Sequence, residues 1–188
     1  RQAEAAAASV GGVAVMDPDL LDEVTALVEW PVPVLGNIEA RFLSLPAEVL
    51  ITTLQANQKY FPIRAADGKL LPHFITFSNL ASSRLETVRE GNERVVRPRL
   101  SDAEFFWNLD RKRTLESRVD DLANVTFQKV LGSLLDKTQR VVHLSGSISR
   151  ELGVDAAVAE RAARLAKADL LTTMVGEFPE LQGTMGRY

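Results

Sequence analysis

The chain has 188 residues, of which 46% are hydrophobic and 25% are charged, so it is neither a disordered nor a fibrous protein. Its net charge of −3 argues against a uniformly basic nucleic-acid binder and leaves room for a local basic patch. It contains no cysteine, which excludes disulfides, thiolate nucleophiles and cysteine-ligated zinc, and its two histidines leave little material for imidazole chemistry.

The first part of the chain carries two helix-start signals. Residues 1–16 are expected to be a lead-in from a preceding region, with a break at Gly11-Gly12. Asp17 followed by Pro18 predicts a helix, because aspartate caps free backbone amides and proline fits the first turn. A second helix is expected after Ser44–Pro46.

A β-hairpin is predicted next. Residues 59–63 and 70–78 are rich in β-formers, and the Asp67-Gly68 pair between them is a strong tight-turn signal. Proline cannot donate to a strand ladder, so Pro62 and Pro72 are expected at an edge of the sheet or at a bulge.

The stretch from residue 84 to residue 118 has a local excess of positive charge, with nine basic and seven acidic residues. Ser101 with Glu104 fits a capping box that would open a short helix carrying Phe105, Phe106 and Trp107. Guanidinium groups suit phosphate oxygens, and aromatic rings can stack on unpaired bases. The predicted RNA-contacting residues are Arg94, Arg97, Arg99, Arg111, Lys112 and Arg113. The interleaved acidic residues leave open that these side chains form internal ion pairs instead.

From Thr114 onward the pattern is helical. A long apolar stripe, closed by Gly153, and a second one capped by Asp155 are both expected to be buried. Their members are Leu134, Leu135, Val141, Val142, Leu144, Ile148 and Leu152, then Val158, Ala162, Leu165, Ala166 and Leu170. The predicted fold class is α+β, with a mixed helix and hairpin region at residues 17–113 and an all-helical region at residues 114–188.

The helical region resembles HD-domain phosphohydrolases in its pattern. Those enzymes hold metal with a histidine, a His-Asp pair and a later aspartate. Here Ala166, Lys167 and Ala168 occupy the register of that pair, with Asp169 nearby, and a lysine ammonium repels a metal ion. We therefore expect an HD-like scaffold with no metal ligands and no catalytic residues, since nucleotide-binding glycine motifs are also absent.

Five ordered sequence blocks carry a second resemblance. They are the segments 55–62, 74–79, 90–106, 131–134 and 167–188. These blocks resemble the β subunit of the bacterial heterotetrameric glycyl-tRNA synthetase, and the resemblance runs from about residue 20 to the end. Because family members are several times longer and the first residue is Arg1, the chain is expected to be an internal fragment.

The resemblance implies a whole enzyme of two α and two β subunits that attaches glycine to its tRNA with ATP and magnesium in the bacterial cytoplasm. The α subunit would carry the class II active site and use the ATP and magnesium. The fragment would bind no cofactor and would support tRNA positioning and α/β assembly, with the α subunit, tRNA(Gly) and a second β subunit as partners and no membrane. An HD-type metal-dependent phosphohydrolase and a purely structural scaffold segment remain the alternatives.

Overall fold

The computed structural model describes all 188 residues, which divide into two compact units, Arg1–Phe105 and Phe106–Tyr188. The fold class is α+β, as predicted, with helices dominant in the second unit. The helices are α1 Gln2–Ala8, α2 Pro18–Leu27, α3 Ala47–Thr52, α4 Leu85–Asp110, α5 Leu134–Glu151, α6 Ala156–Leu165, α7 Thr173–Glu177 and α8 Thr184–Arg187. The strands are β1 Val13–Ala14, β2 Val32–Asn37, β3 Phe61–Arg64, β4 Leu70–Ser78, β5 Thr126–Gln128 and β6 Gly132–Ser133.

The first unit is built on a four-stranded antiparallel sheet in the order β1-β3-β4-β2. The predicted hairpin is confirmed as β3 and β4, and Gly68 takes a φ of 83° in the turn between them. Of the two positions expected for Pro62 and Pro72, an edge or a bulge, the structure shows the bulge. Both strands lie inside the sheet, and the β3–β4 register shifts between Pro62 and Arg64, which accommodates the prolines.

The first residues of the chain take part in the core of this unit. Strand β1 pairs with β3, and Ala3 and Ala7 of helix α1 pack in one cluster with Phe61, Ile63 and Ile75. Helix α2 starts as predicted, since the Asp17 carboxylate accepts a hydrogen bond from the Leu20 amide at 2.9 Å.

Most of the basic stretch, up to Asp110, forms the single long helix α4, so the predicted helix start at Ser101 is wrong. Val96, Leu100 and Ala103 are spaced by four and three residues and form one buried stripe that continues past Pro98. Burial of this stripe offsets the backbone hydrogen bond that Pro98 cannot donate.

The second unit is mainly helical but contains the short hairpin β5–β6, which the sequence pattern did not predict. Ser133 at the end of this hairpin caps α5, and Gly153 with a φ of 67° follows that helix. Asp155 caps α6, as predicted, by accepting a hydrogen bond from the Ala157 amide at 2.9 Å.

The two predicted apolar stripes of this unit are only partly buried. Leu134 is buried, but Leu144, Ile148 and Leu152 are 58–71% exposed, and α6 has no buried residue at all. The reason is that α5 buries a different side of the helix from the one that carries the apolar stripe. Its buried positions after Leu134 are Thr138, Gly146 and Ser149. No helix of the chain has the length and apolar character needed to cross a membrane.

Candidate nucleic-acid interface

The first group of predicted RNA contacts lies on helix α4 in the first unit. Arg94, Arg97 and Arg99 are all exposed to solvent. The Arg97 Nε lies 2.7 Å from a carboxylate oxygen of Glu39, whereas Arg94 and Arg99 form no ion pair and no side-chain hydrogen bond. Two of the three guanidinium groups are therefore available to an external anion.

Arg97 belongs to a charge network centred on Glu39. The Glu39 carboxylate also accepts a hydrogen bond from Arg41 Nε at 2.8 Å, and Arg41 reaches Glu104 at 2.5 Å. The hydrogen bond from Arg41 is the main reason that the pKa of Glu39 lies below its usual value, and it raises the pKa of Arg41. This bonding gives Arg97 a structural role on the protein surface.

The acidic residues near α4 do not neutralise the two free arginines. Glu93 accepts hydrogen bonds from the backbone and side-chain amides of Asn37, and Glu104 binds Arg41. The pairing of these acids with Arg94 and Arg99, which the sequence left open, is therefore absent from the structure.

The second group of predicted contacts lies beside a cavity of about 400 Å³ in the second unit. Basic and aromatic side chains line much of it, namely Trp107, Arg111, Arg113, Arg118, Arg161 and Tyr188. The Trp107 and Tyr188 rings meet edge to face with centroids 5.6 Å apart, and the Arg111 guanidinium lies 5.4 Å from the Trp107 centroid. Planar aromatic and cationic groups in one cleft suit a ligand that combines a ring with negative charge.

One wall of this cavity is fixed by a buried ion pair. The Arg118 side chain is 8% exposed and donates hydrogen bonds to the carbonyl oxygens of Asp110 and Leu171 at 2.9 and 3.2 Å. The Asp110 carboxylate lies 3.6 Å from Arg118 and accepts hydrogen bonds from the amides of Thr173 and Met174, at the start of α7. The sequence prediction missed Arg118. Its position close to the apolar residues Val119 and Leu122 was the available signal that this arginine is buried.

Exposed ion pairs occupy some of the remaining arginines of the cavity. Arg113 donates to the Asp121 carboxylate at 3.0 Å, and Arg161 reaches Glu116 at 3.2 Å. Arg111 and Lys112 have no carboxylate partner. Of the six predicted basic residues, four are thus free of ion pairs, two in each unit.

The helical region offers no alternative metal chemistry. No group of three or more His, Cys, Asp and Glu side chains lies close enough to hold a metal ion. Asp169, next to the register of the His-Asp pair, is 1% exposed and accepts hydrogen bonds from the amides of Gly183 and Gly186. Its bonded carboxylate oxygen therefore fixes the turn before α8.

Comparisons with known proteins place the chain among close relatives. A family model described as glycyl-tRNA synthetase beta subunit matches residues 1–188. The glycine–tRNA ligase beta subunit of Ectopseudomonas mendocina is 56% identical over 188 residues, which is all of this chain and 28% of the relative. The corresponding subunits of Shewanella woodyi and Neisseria meningitidis are 52% and 54% identical over 99% and 98% of this chain. The chain spans little more than a quarter of the length of these curated relatives, at 27–28%.

Proposed function

The chain belongs to the glycyl-tRNA synthetase β-subunit family, and we propose that it is a non-catalytic segment of glycine–tRNA ligase that helps to hold and position tRNA. In the whole enzyme, an α subunit would use ATP and magnesium to charge tRNA(Gly) with glycine. The proposed setting is a cytoplasmic assembly of two α and two β subunits, in which the helical region of this chain serves as an HD-like scaffold and contributes to α/β assembly.

One observation carries the proposed contact with RNA: Arg94, Arg99, Arg111 and Lys112 are exposed and have no carboxylate partner. An exposed arginine that already has an ion-pair partner must give it up to bind phosphate, whereas a free one only exchanges water and counterions. These four cations are therefore the side chains best prepared for a polyanion, although the chain as a whole carries a net charge of −3.

A second candidate role, that of a structural scaffold, is favoured for two of the six predicted residues. Arg97 joins the Glu39 network and Arg113 pairs with Asp121, so both contribute within the chain. The HD-type phosphohydrolase has no comparable support, because the described side chains do not supply its ligand set.

The test is tRNA binding to the full-length β subunit assembled with its α subunit, measured across a series of salt concentrations. We expect an Arg94→Ala/Arg99→Ala double variant to bind more weakly and to lower the salt slope by roughly 1 for each phosphate contact removed. We expect Lys112→Ala to act in the same direction with a smaller effect.

Arg150→Ala is the matched control, because Arg150 is an exposed arginine that is engaged with Glu160 at 3.2 Å. It should leave the salt slope unchanged. If the double variant and Lys112→Ala also leave affinity and slope unchanged, these cations do not contact tRNA and the proposed role is wrong.

A further inference from the structure

Helix α5 exposes a regular apolar stripe to solvent. Val141, Leu144, Ile148 and Leu152 follow one another at steps of three, four and four residues, which places them on one face of the helix. All four are exposed, at 39–71%. A stripe with this spacing is the kind of surface that packs against another helix.

Exposed apolar residues also follow α5 in the chain. Val154 follows the Gly153 turn and is 58% exposed, and Val158 on α6 is 65% exposed. Both helices therefore carry exposed apolar side chains, and we call the six residues Val141, Leu144, Ile148, Leu152, Val154 and Val158 the α5–α6 face. Monomeric soluble proteins rarely leave a surface of this kind uncovered.

The lack of buried residues in α6 helps to identify what covers the α5–α6 face. Short helices in water obtain most of their stability from packing of an apolar face, and α6 has ten residues and none that is buried. Helix α6 packs against α5, where Arg150 lies 3.2 Å from Glu160, but this contact fully buries none of its residues. A cover that stays in place would add the missing burial permanently, whereas a partner that dissociates would add it only for a time.

We propose that the α5–α6 face is covered by apolar helices from the remainder of the same polypeptide. The relatives supply the material, since this chain spans only 27–28% of their length. A layer of further helices on α5 and α6 would complete a two-layer helical domain, which is how amphipathic helices normally bury their stripes. The inference stands apart from tRNA binding, because none of the six predicted RNA contacts belongs to this face.

The absence of cysteine from these 188 residues provides a direct test. Leu144→Cys and Ile148→Cys would each be introduced into the full-length β subunit, and the rate of thiol labelling at that position would be followed by mass spectrometry of the peptide. His143→Cys is the matched control, because it is exposed on the same helix and faces away from the stripe. In the β subunit alone, we expect labelling at positions 144 and 148 to be roughly 100-fold slower than at position 143, because it must wait for local opening.

The other outcomes overturn the proposal in distinct ways. Fast labelling of the β subunit alone that becomes slow when the α subunit is added would make the α subunit the occupant. Slow labelling that becomes fast on dilution would indicate a second copy of the chain. Fast labelling under all conditions would mean that the face stays open.

Discussion

The two units differ in how many of their large apolar side chains are buried. Leaving alanine aside, the first unit has 16 buried hydrophobic residues against eight large exposed ones, whereas the second has eight against 11. The first unit can therefore be stabilised by its own apolar core, because burial of apolar area is the main driving force of folding. The second unit cannot rely on this to the same extent.

Buried polar side chains, which we call polar anchors, hold elements of the second unit together in places where the first unit uses apolar packing. Asp110 bonds the start of α7 and Arg118, and Asp169 bonds the turn before α8. Buried polar groups specify one arrangement strictly, since each unpaired group is costly. Substitution of a buried apolar residue should thus lower the stability of the first unit most. Substitution of a polar anchor should lower the stability of the second unit most.

The largest expected effect concerns Phe74 in the first unit. Its ring is fully buried and stacks on Tyr60 with centroids 4.8 Å apart. We expect Phe74→Ala to lower the free energy of opening of strands β3 and β4 by about 3–5 kcal/mol, because it leaves a cavity. Native-state hydrogen exchange of the full-length subunit measures this opening by peptide.

Phe127→Ala in the second unit is the matched control. This ring is 39% exposed, and its charged neighbour is Lys137, whose Nζ lies 4.2 Å from the ring centroid. We expect a loss of about 1 kcal/mol or less in the stability of β5. Equal losses for the two phenylalanines would contradict the contrast between the units.

The next effect concerns the anchor Asp110 in the second unit. Asp110→Ala removes the acceptor of two α7 amides and leaves Arg118 buried without its carboxylate, so we expect a loss of about 3 kcal/mol in the opening of α7. Asp121→Ala breaks only the exposed pair with Arg113 and should cost about 0.5 kcal/mol. The same exchange experiment compares them, and similar costs would remove the special role of the buried anchor.

A pair of glycines compares the packing tightness of the two units. A Cβ at Gly36 would meet the ring of Phe74, whereas one at Gly146 would meet the flexible side chain of Glu160. We expect Gly36→Ala to destabilise the sheet by about 1–3 kcal/mol through overpacking. Gly146→Ala should change the stability of α5 by less than about 1 kcal/mol, because alanine favours a helix and Glu160 can move. Hydrogen exchange in β2 and α5 measures the two changes in stability. An equal loss of stability at both sites would show that the surroundings of the two glycines are equally rigid.

Local signals predicted much of the fold. The Asp17 and Asp155 caps, the Asp67-Gly68 turn and the Gly153 helix end each depend on neighbours within a few residues, and all are found in the structure. Ser101 failed as a helix start, because the stripe that carries α4 past Pro98 is buried by distant residues. A local pattern cannot report such tertiary burial.

The α5 stripe and the basic residues show two further limits. Helical spacing identified the apolar face of α5 but could not tell whether anything in these 188 residues covers it. Composition identified the basic stretch, yet it could not show that Arg97 pairs with Glu39, which is far away in the chain, while Arg94 and Arg99 stay free. Trp107 and Arg118 became recognisable as one cavity lining only from the structure.

The smallest expected effect is a pH dependence at the start of α5. The Asp136 carboxylate accepts hydrogen bonds from the Ser133 amide at 2.7 Å and the Ser133 hydroxyl at 2.8 Å, which keeps the pKa of Asp136 below its ordinary value of 3.8. The ionised form is thus favoured in the folded state. The stability that it adds is fully present above the ordinary value and is lost as the pH falls through the lowered folded-state pKa.

We therefore expect the first turn of α5 to open more readily in strongly acidic solution, as measured by hydrogen exchange corrected for intrinsic rates. Asp136→Asn should remove this pH dependence, because the amide does not titrate. Helix α2 offers a comparison from the first unit. Its cap Asp17 also accepts a hydrogen bond from a backbone amide, that of Leu20, but α2 is packed into the core of its unit. If Asp136→Asn retained the full pH dependence, another group would control the start of α5, and the second unit would depend less on this polar cap than its sparse apolar core suggests.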